Sequence, residues 1–239
     1  MPRRSMPQGL AKFDFEKRSA QDRERVLAAL EVSRETVERL DVYVALLLKW
    51  QTTINLISPS TLDRLWTRHI LDSAQILSVG ADHRNWADIG SGAGFPGLIM
   101  AILSLERAEP SVFHLIEGDQ RKASFLREAK RVTEAPVLVH AERAEKLLPG
   151  LSGKVSAMTA RALAPLPLLL ALAEPLLTTG AEGFFPKGES LESEIEQAKK
   201  LFAFESQVTP SRTDEKGRIL VVRDLRRRQA AIGELGDRK

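Results

Sequence analysis

The chain has 239 residues, 43% of them apolar and 28% charged, with a formal net charge of +3. This is enough for one good-sized domain plus an appendage, and the mild positive balance hints at a polyanionic partner. The absence of cysteine excludes disulfides, thiolate metal sites and thiol nucleophiles, and four scattered histidines without ligand spacing predict no protein-held metal.

Residues 1–22 are mixed in charge and lack periodicity, which predicts a loose N-terminal extension. Its arginines precede no apolar core, so no secretory signal is expected in it. From Arg23 the pattern turns helical, with Val37, Leu40, Val44, Leu47 and Leu48 at helical spacing and Trp50 closing the run. Ser58-Pro59 reads as a helix start, serine as N-cap and proline in the first turn. Leu62, Leu65, Trp66, Ile70, Leu71, Ala74 and Leu77 follow on one broad face, so residues 23–80 form a helical cap.

The pattern then alternates. Short apolar runs at 86–89, 112–116, 137–139, 155–159 and 183–185 read as strands. Amphipathic helices are expected at 98–105, 122–132 and 143–148, with a proline-broken helix from 166 and another over 189–201. Such alternation predicts an α/β fold, a mostly parallel Rossmann-like sheet with helices on both faces. Runs at 203–209 and 218–223 suggest a closing antiparallel hairpin, and 226–239 a basic tail. The most apolar stretch, 162–177, carries three prolines and Glu174 and is too short to span a bilayer, so a soluble cytoplasmic protein is expected.

The sharpest signal is DIGSGAGFPG over 88–97, a strand that turns through four glycines into a helix. Such a turn brings bare backbone to a ligand and aims helix N–H groups at it. Two templates fit. Gly92, Gly94 and Gly97 match a dinucleotide fingerprint, with Glu117 at the expected ribose distance. Asp88, Gly90, Gly92 and Gly94 match the acid-x-Gly-x-Gly-x-Gly loop of S-adenosylmethionine-dependent methyltransferases. The second is favoured because Asp88 would repel a pyrophosphate and welcome an ammonium, and because Pro96 stiffens the third spacing. The predicted C-terminal hairpin points the same way.

With NLIS at 55–58 and RHILDS at 68–73, the loop resembles the glucose-inhibited division protein B family, bacterial methyltransferases of a 16S rRNA guanine. LIEGDQRKASFLR at 115–127, TARALAPL at 159–166, PKG at 186–188 and GRILVVR at 217–223 extend the resemblance over roughly residues 35–225. The family commonly has Asp-Ser where this chain has Glu117-Gly118. The resemblance implies a seven-stranded class I methyltransferase domain over 81–225, S-adenosyl-L-methionine as cofactor, and guanine N7 in the decoding-site loop as target. The implied partner is 16S rRNA or the small ribosomal subunit, with the protein acting as a monomer without membrane or metal. A nicotinamide-dependent oxidoreductase and a non-catalytic RNA-binding assembly factor are the alternatives.

By the same resemblance, Gly90 and Gly92 approach the cofactor through backbone, Phe95 packs beside it and Asp88 faces it. Glu117 is the candidate for the ribose hydroxyls, and Ala144 and Glu145 flank the adenine. Arg161 binds the cofactor carboxylate or stacks on the incoming base. Arg68, His69 and Lys187 are candidate RNA contacts, as are Arg127 and Arg131, with Lys130, on one helix stripe and Arg223, Arg226, Arg227 and Arg228 in the tail. Each has a plainer reading: a core aromatic for Phe95, a turn acid for Glu117, solvated faces for the charge runs, and a helix-surface ion pair between Arg68 and Asp72. No general acid or base is assigned.

Overall fold

The computed structural model describes residues 8–109 and 111–228. Seven strands form one sheet in the order β3-β2-β1-β4-β5-β7-β6. They are β1 (Asn85–Ile89), β2 (Val112–Ile116), β3 (Val137–His140), β4 (Ala157–Thr159), β5 (Glu182–Lys187), β6 (Phe202–Pro210) and β7 (Arg218–Arg227). The first five run parallel, and β7 inserts antiparallel between β5 and β6. Every expected strand is present, and the closing hairpin is longer than its apolar runs implied.

The central parallel strands are buried on both faces, so their alternate side chains feed two separate cores, whereas the edge strand β3 leaves Leu138 exposed. Trp86 and Phe113 enter the core beneath α2 (Arg34–Gln51), α3 (Asp72–Val79), α4 (Gly97–Ser104) and α5 (Gln120–Thr133). Ala87 and Ile89 enter the opposite core, under α6 (Ala144–Leu151), α7 (Leu166–Leu177) and α8 (Leu191–Leu201). No described helix is long and apolar enough to cross a membrane.

The N-terminal part departs from expectation in three ways. First, the expected loose extension is helical: α1 spans Gln8–Leu30. Its C-terminal end buries Val26 in the core, with Leu27 and Leu30 packed alongside, and polar contacts anchor it further. Asp22 accepts the Thr67 amide at 3.0 Å, and Arg23 makes two bonds to Asp41. Residues 1–7, and 229–239 of the expected tail, lie outside the described residues.

Second, the buried stripe of α2 is rotated. Leu40, Tyr43 and Leu47 face the core, while Leu48 is 41% exposed. Third, the single helix expected after Ser58 is three pieces: a 3-10 turn (Pro59–Arg64), a π-helical turn (Trp66–Leu71) and α3. Ser58 makes no side-chain cap bond. Its carbonyl instead takes the Thr61 amide and hydroxyl, at 3.0 and 2.8 Å. The wider π turn, of a kind that recurs at functional sites, places RHILDS at the mouth of a cleft.

Candidate active site

The strand order reverses between β1 and β4, the place where open α/β sheets bind ligands beyond their carboxyl ends. There the chain leaves β1 through Gly90, Gly92 and Gly94, all at positive φ (69°, 55° and 92°). A β-carbon at Gly90 would lie 2.9 Å from Leu163, and one at Gly94 2.7 Å from Leu98. Only glycine combines this backbone with this packing.

Most of the loop's amides, that of Ala93 excepted, are consumed internally. Gly90 and Ser91 donate to the Ile116 carbonyl, Gly94 and Phe95 to the Ser91 carbonyl. Gly92 donates to Oε2 of Glu117 at 2.8 Å, and Gly97 to Oδ2 of Asp88 at 3.1 Å. This corrects the expectation of free helix N–H groups aimed at a ligand. It also corrects Asp88, which is buried beneath the loop with its carboxylate turned toward α4 and away from the cleft. Its burial raises its pKa to about 6, against the opposing pull of the Gly97 amide.

A cleft of about 930 Å³ opens over this loop. Of the residues expected in the site, Gly90, Gly92, Phe95, Arg68, His69, Arg161 and Lys187 line it. They form a layered wall. The His69 ring stacks on Phe95 at 4.7 Å between centroids, and the Arg161 guanidinium lies 5.1 Å from the same ring. Arg161 also donates to the Arg68 carbonyl at 3.1 Å. Burial, with Arg161 and Arg68 nearby, lowers the His69 pKa to about 3, so the ring is neutral at physiological pH. Phe95 is both buried core and cleft wall, so the two readings of it merge.

Beside this cleft a smaller cavity of about 550 Å³ lies past β2 and β3, lined by Gly118, Gln120, Arg127, His140 and Arg143 among others. Glu117 stands between the two. One of its oxygens holds Gly92 and the other holds the Asp119 amide at 2.8 Å. Ala144 and Glu145 open α6 nearby but line neither cavity, and Glu145 is exposed beside Arg143.

Several charges expected for RNA have internal partners instead. Lys187 sits 2.8 Å from Glu194 and donates to the Ala164 carbonyl at 3.0 Å. Arg131 pairs with Glu128 at 2.7 Å, Arg223 with Glu182 at 2.7 Å, and Arg227 with Glu174. Arg228 donates to the Phe202 carbonyl. The expected Arg68–Asp72 pair does not form, because a π turn does not stack residues four apart. Arg68 reaches Asp214 at 2.7 Å, and Asp72 takes the Thr213 hydroxyl.

That last contact exposes residues the sequence reading missed. The β6–β7 turn closes one side of the cleft through Thr213, Asp214 and the Arg212 amide, which donates to Gln75 at 2.6 Å. Tyr43 was also missed. Its hydroxyl donates to the Ala93 carbonyl at 2.6 Å, bracing the glycine loop from the cap. The available signal was its place as the single tyrosine, in step with Leu40 and Leu47.

Comparisons with known proteins agree with this geometry. The fold is shared with an O-methyltransferase from Bacillus cereus in complex with SAH (TM-score 0.54, 15% identity, 87% of this chain and 99% of that one). A putative O-methyltransferase from Klebsiella pneumoniae is similar at TM-score 0.55 and 14% identity, covering 87% and 98%. Ribosomal RNA small subunit methyltransferase G from Methylobacterium nodulans is 48% identical over 87% of this chain and 97% of its own length. Its counterpart from a Bradyrhizobium species is also 48% identical, over 85% and 91%. The GidB family model, described as rRNA small subunit methyltransferase G, matches residues 36–220, and the chain belongs to that family.

Proposed function

We propose that this protein transfers the methyl group of S-adenosylmethionine to N7 of a guanine in 16S rRNA, acting as a cytoplasmic monomer on the RNA or the small subunit. The observation that carries this reading is the glycine loop with spent amides. A dinucleotide's pyrophosphate needs several free N–H donors, and here all but that of Ala93 are held by carbonyls and by the carboxylates of Glu117 and Asp88. A cationic, phosphate-free nucleoside suits such a loop, which argues against the nicotinamide alternative.

In this reading Gly90 and Gly92 let the cofactor lie against bare backbone. Glu117 retains lone pairs for the ribose hydroxyls, and the cavity beside Gly118 and Arg143 receives the adenine. Bound there, the cofactor supplies an already activated methyl group. Guanine N7 carries an in-plane lone pair and no proton, so no general base is needed. What remains is alignment, worth roughly 7–11 kcal/mol in favourable cases. Arg161, fixed over Phe95 and tied to the Arg68 carbonyl, is placed to orient the base. Arg127, exposed at the smaller cavity, is the better phosphate contact, whereas Lys187 and Arg131 serve the fold.

Methyl-labelled cofactor, purified protein and small subunits from cells lacking it test the reading. Label in 16S rRNA is expected. Cofactor binding without label would favour the assembly-factor alternative.

A further inference from the structure

We infer that Asp72 is the residue that selects guanine, the two free lone pairs of its Oδ2 accepting the N1–H and the exocyclic amino group of the target base. This inference rests on the guanine-methyltransferase reading of the cleft. Asp72 opens α3 and lines the cleft wall opposite the glycine loop, beside Gln75. Neither neighbouring arginine pairs with it. Arg68 is spent on Asp214, and Arg161 donates to the Arg68 carbonyl. Oδ1 is pinned by the Thr213 hydroxyl and by the Gln75 amide at 3.3 Å. Oδ2 makes no hydrogen bond to any described residue, and the pinned Oδ1 fixes the direction in which it points.

A carboxylate offers acceptors only. Guanine presents two adjacent N–H donors on its Watson–Crick edge. Adenine and cytosine present a donor beside an acceptor, and uracil a single donor between acceptors. Only guanine fits without leaving lone pair against lone pair. The fit also improves during reaction. As N7 bonds to carbon the purine becomes cationic, its N1–H grows more acidic, and the contact with a carboxylate strengthens in the transition state. Burial raises the Asp72 pKa above the ordinary carboxylate value, and the Thr213 hydroxyl and the two guanidinium groups nearby oppose that rise.

The test uses small-subunit rRNA carrying either guanine or inosine at the methylated position, introduced by splinted ligation. Inosine lacks the amino group and keeps N1–H and N7. The wild-type protein is expected to bind the inosine RNA, with S-adenosylhomocysteine present, and to methylate it, roughly tenfold or more less well. In Asp72→Asn the carboxamide still takes the Thr213 hydroxyl but turns N–H toward the base. Its guanine-to-inosine ratio should fall toward one in both affinity and rate, while S-adenosylhomocysteine affinity and Tm stay at wild-type values. Equal treatment of the two RNAs by the wild-type protein would overturn the inference without any variant. So would an unchanged ratio in Asp72→Asn, with the methyltransferase reading left standing. No methyl transfer to the guanine RNA would instead sink that reading, and this inference with it.

Discussion

Oδ2 of Asp88 accepts the Gly97 amide proton at 3.1 Å, tying the end of β1 to the first turn of α4 beneath the glycine loop. A β-carbon on Gly97 would lie 2.6 Å from that of Asp88, so the two positions fit only as they stand. The carboxyl is fully enclosed and its pKa is raised to about 6. A raised carboxyl pKa means that the folded state holds the proton better than the unfolded state. The resulting stability is fully present below about pH 4 and is lost as pH rises through 6. Two units correspond to about 3 kcal/mol. Asp88→Asn mimics the neutral form, so its Tm relative to wild type should rise between pH 5 and pH 8. A constant difference across that range would contradict this account of Asp88.

Substituting Gly92 tests the loop itself. The residue sits at φ 55° with its amide on Glu117, and a β-branched side chain is strained there. Gly92→Val should abolish S-adenosylhomocysteine binding in calorimetry and leave the protein folded by circular dichroism. Undiminished affinity would remove the loop from the cofactor site.

The Lys187–Glu194 pair is largely enclosed, its side chains 10% and 16% exposed. Glu194 also accepts the Leu166 amide at 2.7 Å, joining α8 to the start of α7. Lys187→Met leaves that carboxylate without its cation and should cost about 3 kcal/mol, read as a fall in urea midpoint. If stability holds while rRNA affinity drops, Lys187 is an RNA contact after all.

His69 stays neutral down to about pH 3. The rate of methyl transfer should therefore show no His69 inflection between pH 6 and 8, and His69→Gln should lower the profile without changing its shape. A near-neutral inflection that disappears in this variant would make His69 a proton-transfer group.

The strands and the glycine loop were legible because apolar runs and glycine spacing are local signals. So was the stacking region around Phe95 and Arg161, through the motifs flanking them. The helical start was not, since α1 joins the core through a short apolar patch at its end, Val26 with Leu27 and Leu30, and through Asp22 and Arg23 reaching distant partners. Nor was the cleft's far wall. Thr213 and Asp214 meet Asp72 and Arg68 across more than 140 residues, and no pattern in the chain pairs them. The turn of Asp88 toward Gly97 escaped notice for a related reason: a strand's alternation gives the face of a side chain, but not which of two ligands on that face it takes.

The central claim, methylation of guanine N7, is tested most directly by chemical cleavage of small-subunit RNA at N7-methylguanosine, comparing cells with and without this protein. The account predicts one scission site in 16S rRNA that vanishes without the protein and returns with the wild-type gene, but not with Gly92→Val. Identical cleavage patterns in both RNAs would contradict it.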